Sequence, residues 1–249
     1  MKVEVTGIDK KTKPPLGLTS KKWDVVDPNE CVMFPTGVAV SMESPKMMGV
    51  LYCPDFQLAN TIGIIDSDFH GEIRCGIFNQ EKTPIIIRLN QRIGELFFMP
   101  IIDKDVEIIP VKDGIVLPAY ATPGAAGLDI FANVSVPITF YPDETLRIAT
   151  GFKVEIHKPN IIGLIVSRSG LSVNHSIMLA NSIEIVQSSY QEEITVKLVN
   201  HGKRPYTINP MDKIAQMIFI PIITPNLVKV KEFSTVTTRS NQGFGSTGK

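Results

Sequence analysis

Four ionisable side chains crowd the stretch TIGIIDSDFHGEI (Thr61–Ile73): Asp66, Asp68, His70 and Glu72 follow a run of isoleucines. A carboxylate held at the mouth of an apolar hairpin is a candidate general base. Further along, SRSGL (Ser167–Leu171) supplies a guanidinium fork at Arg168, a hydroxyl at Ser169 and an unobstructed backbone N–H at Gly170. That is a donor set for phosphate oxygens. DKIAQM (Asp212–Met217) adds Gln216, whose amide can donate. YATPGAAGLDIFA (Tyr120–Ala132) brings small residues that allow close backbone approach, and carries Asp129. The C-terminal RSNQGFGSTGK (Arg239–Lys249) combines an arginine, an aromatic ring, glycines and hydroxyls. Each stretch has a plain rival reading taken alone: a hairpin with polar tips, solvated surface charge, or a frayed tail.

The elements that must position these residues are β-strands. Segments such as GLIVS, EITVKL and IIIRL are short, rich in β-branched residues, and separated by Pro and Gly roughly every ten residues, as in a sandwich or barrel. A short helix can follow Ser169. Leu58–Ile102 set without gaps against Leu179–Ile223 matches at about 17 of about 45 positions, the mark of an internal repeat. Upstream, PNECVMFPTGVAV (Pro28–Val40) pairs with PDETLRIATGFKV (Pro142–Val154). The expectation is an all-β chain of two related jelly-roll-like β-barrel modules, joined in the charged stretch Asp103–Gly114. The modules span 1–106 and 107–236, and a flexible glycine-rich tail spans 237–249.

The copies kept different residues. Asp66, Asp68 and Gly71 in the first become Gln187, Ser189 and Glu192 in the second. Conversely, the first copy has CPDFQ (Cys53–Gln57) where the second has the Arg168 fork, and Glu95 where the second has Gln216. Proline removes an N–H, and a carboxylate repels phosphate. The segments around Asp129 and the tail have no evident counterpart in the first half. Complementary losses point to one composite site shared by the two copies.

Composition narrows the classes. Hydrophobic residues make up 43% of the 249, so a sizeable core is affordable to the chain. The formal net charge is +0, which gives no general attraction to nucleic acid. No apolar run approaches a membrane span, and the N-terminus lacks a signal-peptide core. Three cysteines without a C-x-x-C and four scattered histidines argue for reduced thiols and against a Cys/His metal site.

Together these segments resemble the deoxyuridine triphosphatases (dUTPases). PGAAGLDI looks like their first motif, SRSGL the second, GIIDSDFHGEI the third, DKIAQMIF the fourth and RSNQGFGSTG the fifth. The third motif comes first here, inside a degenerate repeat, and that order resembles the monomeric, double-length herpesvirus dUTPases. The resemblance implies hydrolysis of dUTP to dUMP and pyrophosphate, limiting uracil incorporation into DNA and supplying dUMP for thymidylate synthesis. It implies that Asp66 is the general base and that Asp129 holds Mg²⁺ through water. Arg168, Ser169, Gly170 and Gln216 would grip the phosphates. Arg239, with Gly245, Ser246 and Thr247, would close over the γ-phosphate, and Phe244 would stack on uracil. Asn60 and Gly63 belong to the uracil-binding hairpin, and Phe69 would lie under the deoxyribose. A monomer inside the host cell, in cytoplasm or nucleus, is implied, with no membrane or direct nucleic-acid contact; host-protein partners leave no mark in the sequence.

Four positions depart from the family pattern: Phe69 for tyrosine, His70 for arginine, and Ser240 and Gln242 for glycine in the tail. Two rival readings remain at this stage. One is a catalytically weak or silent dUTPase scaffold acting as a signalling or interaction module. The other is dCTP deaminase chemistry, for which the required acid–base residue is not found.

Overall fold

The computed structural model describes residues 2–8 and 13–232. The first half contains β1 (Val3–Thr6), β2 (Leu16–Thr19), β3 (Asp24–Val26), β4 (Cys31–Met42), β5 (Met47–Tyr52), β6 (Gly63–Ile65), β7 (Glu72–Phe78), β8 (Ile85–Ile87) and β9 (Arg92–Pro100). The second contains β10 (Val106–Pro110), β11 (Ala119–Tyr120), β12 (Leu128–Phe131), β13 (Ile138–Phe140), β14 (Thr145–Ala149), β15 (Phe152–Ile156) and β16 (Ile161–Ser167). After these come α1 (Ser169–His175), β17 (Ile177–Leu179), β18 (Glu184–Val186), β19 (Thr195–Asn200), β20 (Tyr206–Ile208) and β21 (Lys213–Pro221).

Each half closes its sheets over its own core, the larger ones flanked by two-stranded ribbons: β3-β8 in the first half, β10-β15 and β13-β20 in the second. In the first, the sheet β2-β9-β5-β6 faces β1-β4-β7. Leu16, Leu18, Leu51, Ile93 and Leu96 from one side meet Phe34, Val40, Ile73, Cys75 and Ile77 from the other. In the second half β12-β21-β16-β18 repeats the order, with β11 added at its edge. Alternating apolar residues on these strands bury one face in each module, as a two-sheet fold requires.

The repeat extends to turn chemistry. Thr61 and Ser182 take positive φ at matching turns, as do Gly37 and Gly151. The Gly37 N–H donates to Glu72 Oε1 and the Gly151 N–H to Glu193 Oε1, both at 2.7 Å. The amides of Asn79 and Asn200 each donate to two main-chain carbonyls in equivalent loops. One expectation changes here. The strand that carries Asp129 does have a counterpart: Gly17 pairs with Glu95 across β2 and β9, as Asp129 pairs with Gln216 across β12 and β21. Periodicity concealed it because β2 keeps only a short apolar run and has glycine at the chemically decisive place.

The modules meet through the outer faces of their larger sheets. Met48 and Ile101 of the first pack with Ala126, Val166, Ile218 and Ile220 of the second, and Ile62 and Ile64 join from the first hairpin. A second apolar cluster joins Ala59 and Phe78 to Met178 and Val199. Because side chains alternate across a strand, an apolar outer face at Ile218 and Ile220 puts Gln216 on that same face, at the end of the seam. The cysteines are free, and burial pushes the Cys75 thiol up to about 12 and Cys31 up to about 11. Both stay protonated near neutral pH and behave as apolar packing groups.

Candidate active site

The first hairpin delivers its residues across the seam. Its tip is a tight turn: Thr61 N–H donates to Leu58 O and Ile62 N–H to Asn60 O. Asn60 then donates from Nδ2 to Ser169 Oγ at 3.1 Å, joining the two modules directly. Gly63 pairs with Leu51 on β5, and an added Cβ would sit 3.0 Å from that side chain. Packing, besides any ligand, therefore favours glycine there, since a larger residue would require Leu51 to give by a few tenths of an ångström.

After β6 the chain turns through Asp66, Ser67 and Asp68 onto the loop that leads into β12. Ser67 is buried and donates from both N–H and Oγ to Gly124 O, at 3.1 and 2.9 Å. Asp66 Oδ1 accepts the Ala126 N–H at 2.8 Å. This fixes one carboxylate oxygen and leaves the other for a ligand. Burial raises the Asp66 pKa above the usual carboxylate value; the Ala126 bond opposes that, and the nearby Asp68 and Asp129 charges add to it. Phe69 follows, 42% exposed, with its ring against Gly71, where a Cβ would stand 2.8 Å from Cζ.

The second module supplies the opposite wall. Asp129, Gln216 and Val166 are direct cross-strand neighbours on β12, β21 and β16. Asp129 is only 2% exposed. Arg168 Nε lies 3.1 Å from its Oδ1 and Lys213 Nζ 2.8 Å from its Oδ2. The Arg168 contact is an ion pair without hydrogen-bond alignment, so Oδ1 is buried with no hydrogen-bond donor among the described residues. Arg168 is held from behind, where Nη1 donates to Lys213 O at 3.2 Å. Arg168 precedes α1, and the leading N–H groups of a helix have no intrahelical partner. An added Cβ at Gly170 would meet nothing within 4 Å, so this side of the helix start faces open space.

The structure thus brings Asn60, Gly63, Asp66, Phe69, Asp129, Arg168, Ser169, Gly170 and Gln216 to one seam. Arg239, Phe244, Gly245, Ser246 and Thr247 lie outside the described residues, as do Ser240 and Gln242. Sequence reasoning missed three supports: Lys213, the Ala126 N–H, and the Ser67–Gly124 clamp. Only Lys213 left a signal, since the repeat sets it opposite another cation, Arg92.

The dUTPase family model matches residues 15–115 and again residues 113–248. The chain belongs to the dUTPase family. The double match agrees with the two modules seen in the fold. A Coxiella burnetii relative named deoxyuridine 5'-triphosphate nucleotidohydrolase is 45% identical over 132 residues, which cover 53% of this chain and 86% of that protein. The protein of the same name from Aromatoleum aromaticum is 39% identical over 145 residues, 58% of this chain and 97% of its own. Such single-length dUTPases correspond to about one module of this double-length one. The Staphylococcus bacteriophage 80alpha dUTPase, solved with dUPNHPP, superimposes with a TM-score of 0.53 at 24% identity, over 57% of this chain and 98% of its own, and shows the shared fold.

Proposed function

We propose that this dUTPase hydrolyses dUTP to dUMP and pyrophosphate at the single composite site between its modules. The observation that carries the reading is the junction itself. Asp66 of the first module is bound to the Ala126 N–H of the second, and Asn60 to Ser169, so the base and the phosphate donors face one space. Neither module has the full set: the first has Pro54 and Glu95 where the second has Arg168 and Gln216, and the second has Gln187 where the first has Asp66.

In this mechanism the free Asp66 oxygen orients a water and takes its proton as the oxygen attacks the α-phosphorus, in line with the departing pyrophosphate. The raised pKa suits a base that must accept a proton near neutral pH. Arg168, the Ser169 hydroxyl, the N–H at Gly170 and Gln216 hold phosphate oxygens by charge-assisted and neutral hydrogen bonds. Asn60 and the hairpin backbone read the uracil edge, and Gly63 lets the hairpin lie close on β5. The Phe69 ring stacks under the sugar without the tyrosine hydroxyl. Arg239, Phe244, Gly245, Ser246 and Thr247 are assigned to closure over the bound nucleotide.

A divalent cation fits the Asp129 end. No group of three or more His, Cys, Asp or Glu side chains among the described residues could cage a metal. The donor set is instead one buried carboxylate with an unsatisfied oxygen, beside the phosphate donors. That suits Mg²⁺, which keeps its waters and binds mainly to substrate phosphates. Bound there, Mg²⁺ would neutralise phosphate charge and orient the triphosphate.

Within the family we assign the chain to the monomeric, double-length herpesvirus type acting inside the host cell. The double family match and the internal seam support that assignment. No helix among the described residues is long and apolar enough to cross a membrane. Light scattering on the eluting protein should give the mass of one chain, and a trimer would refute the monomer.

The test of function is pyrophosphate release from dUTP with Mg²⁺, by the purified chain and by Asp66→Asn, with dTTP, dCTP and UTP as competitors. Turnover of dUTP alone, lost in the variant, supports the reading. Tight dUTP binding without turnover would favour a silent scaffold.

A further inference from the structure

The Asp129 end depends on a residue to which the sequence motifs assign no role. Lys213 opens β21 and makes two separate contacts. Its Nζ lies 2.8 Å from Asp129 Oδ2, and its main-chain carbonyl accepts from Arg168 Nη1 at 3.2 Å. Asp129 is almost fully buried, and a carboxylate in that position is costly without a paired cation. Arg168 is the other cation at this carboxylate, with Nε 3.1 Å from Oδ1.

The first module serves as an internal control. A strand irregularity sits at the same place in both copies, between Leu18 and Thr19 and between Ile130 and Phe131. Across from it stands a cation each time: Arg92 pairs in register with Thr19, and Lys213 with Phe131. In the first copy Gly17 offers no carboxylate, and Arg92 pairs with Glu95 on its own strand. In the second copy the carboxylate is Asp129 on the neighbouring strand, and Lys213 pairs with that. Moving the partner from β9 to the β12 position leaves Gln216 neutral and free to donate.

We propose that Lys213 is the positioning residue of the phosphate end: its ammonium anchors the Asp129 carboxylate by Oδ2, and its carbonyl anchors the Arg168 guanidinium. One residue thereby fixes the distance between the carboxylate, whose Oδ1 is left without a hydrogen bond, and the Arg168 fork, the two groups that would hold the hydrated cation and the phosphate. Without the ammonium, Asp129 has only Arg168 as counter-ion, and Arg168, already 3.1 Å from Oδ1, is held there more tightly and is less available to the ligand. The inference rests on the proposed placement of triphosphate and metal at this seam.

The experiment uses the full chain and inorganic tripolyphosphate, which engages this end without the uracil pocket. Calorimetry measures its binding with and without Mg²⁺ for wild type, Lys213→Met and Lys213→Arg, with melting curves to check folding. Losing a charge-assisted contact that aligns two ligands should weaken Mg²⁺–tripolyphosphate binding in Lys213→Met by about 10- to 100-fold. Lys213→Arg should recover most of it, and the Mg²⁺ concentration for half-maximal binding should rise only in Lys213→Met. Lys213→Gln, which keeps a donor for Oδ2, should fold more readily and show a smaller defect of the same kind. Binding by Lys213→Met, or by Lys213→Gln where the former does not fold, within twofold of wild type would overturn the proposal. So would a wild-type chain that binds tripolyphosphate no better with Mg²⁺ than without. Failure of dUTP hydrolysis with these affinity differences intact would instead sink the functional reading and leave the role of Lys213 standing.

Discussion

Gly124→Ala probes how the two modules hold the catalytic turn. Gly124 does not occupy the left-handed region, so alanine is acceptable to its backbone and only space decides the outcome. The new Cβ would stand 2.5 Å from Asp68 Cγ, 2.6 Å from Asp68 Cβ and 2.8 Å from Asp68 Oδ2. Rotation about χ1 of Asp68 clears the Cγ and Oδ2 contacts but cannot move its Cβ. The two backbones must part by about 0.8 Å to reach ordinary carbon–carbon contact. Gly124 O accepts from Ser67 N–H at 3.1 Å and from Ser67 Oγ at 2.9 Å. A separation of that size takes both beyond hydrogen-bond reach, a loss of about 2 kcal/mol at about 1 kcal/mol each. Asp66 adjoins Ser67, so its carboxylate shifts relative to the Arg168 wall; a misplacement near 1 Å costs on the order of 10²-fold in rate. Pyrophosphate release should therefore fall about 10²-fold in Gly124→Ala. Adding Asp68→Ala should not restore it, since that residue keeps its Cβ. Adding Asp68→Gly should return turnover to that of Asp68→Gly alone. Unchanged turnover in Gly124→Ala, or rescue by Asp68→Ala as complete as by Asp68→Gly, would refute the reasoning.

Three further outcomes are expected. Asp66→Asn should lower dUTP turnover by about 10²–10⁴-fold and yet raise the melting temperature near neutral pH. The sign follows from burial: the folded pKa lies above the unfolded one, so the stability that protonated Asp66 contributes at low pH is lost as pH rises through the folded pKa. A neutral asparagine escapes that cost, and a lower melting temperature would contradict it. The acid limb of kcat/KM should fall at a higher pH than for an ordinary aspartate and move downward in Asp68→Asn, which removes a charge that raises the Asp66 pKa; a limb that stays put or moves upward would remove Asp66 from the base role. Ile218→Ala empties a fully buried place in the seam between modules and should cost about 2–5 kcal/mol in urea unfolding, and a loss below about 1 kcal/mol would mean that the seam is not a stabilising core.

Much of this protein was legible in one sequence. Duplication showed as a fixed-offset match, because two copies that bury the same strand faces must keep apolar residues in the same places. Complementary loss was readable too, since Asp66 opposite Gln187 and Gln216 opposite Glu95 differ in charge, and charge decides what a site can hold. Other features depend on distances between residues far apart in the chain. The Ala126 N–H carries no residue-type signal; it matters because a turn some sixty positions earlier folds onto it. Gly17 as the counterpart of Asp129 became visible only through strand register, since glycine leaves no trace in an apolar pattern. Lys213 left in sequence only the hint that the repeat sets it opposite another cation, Arg92, with nothing to say what it pairs with. Only the tertiary structure sets it between a buried carboxylate and the phosphate-facing arginine, because a salt bridge is a matter of ångströms between strands, and sequence spacing fixes distances only within one.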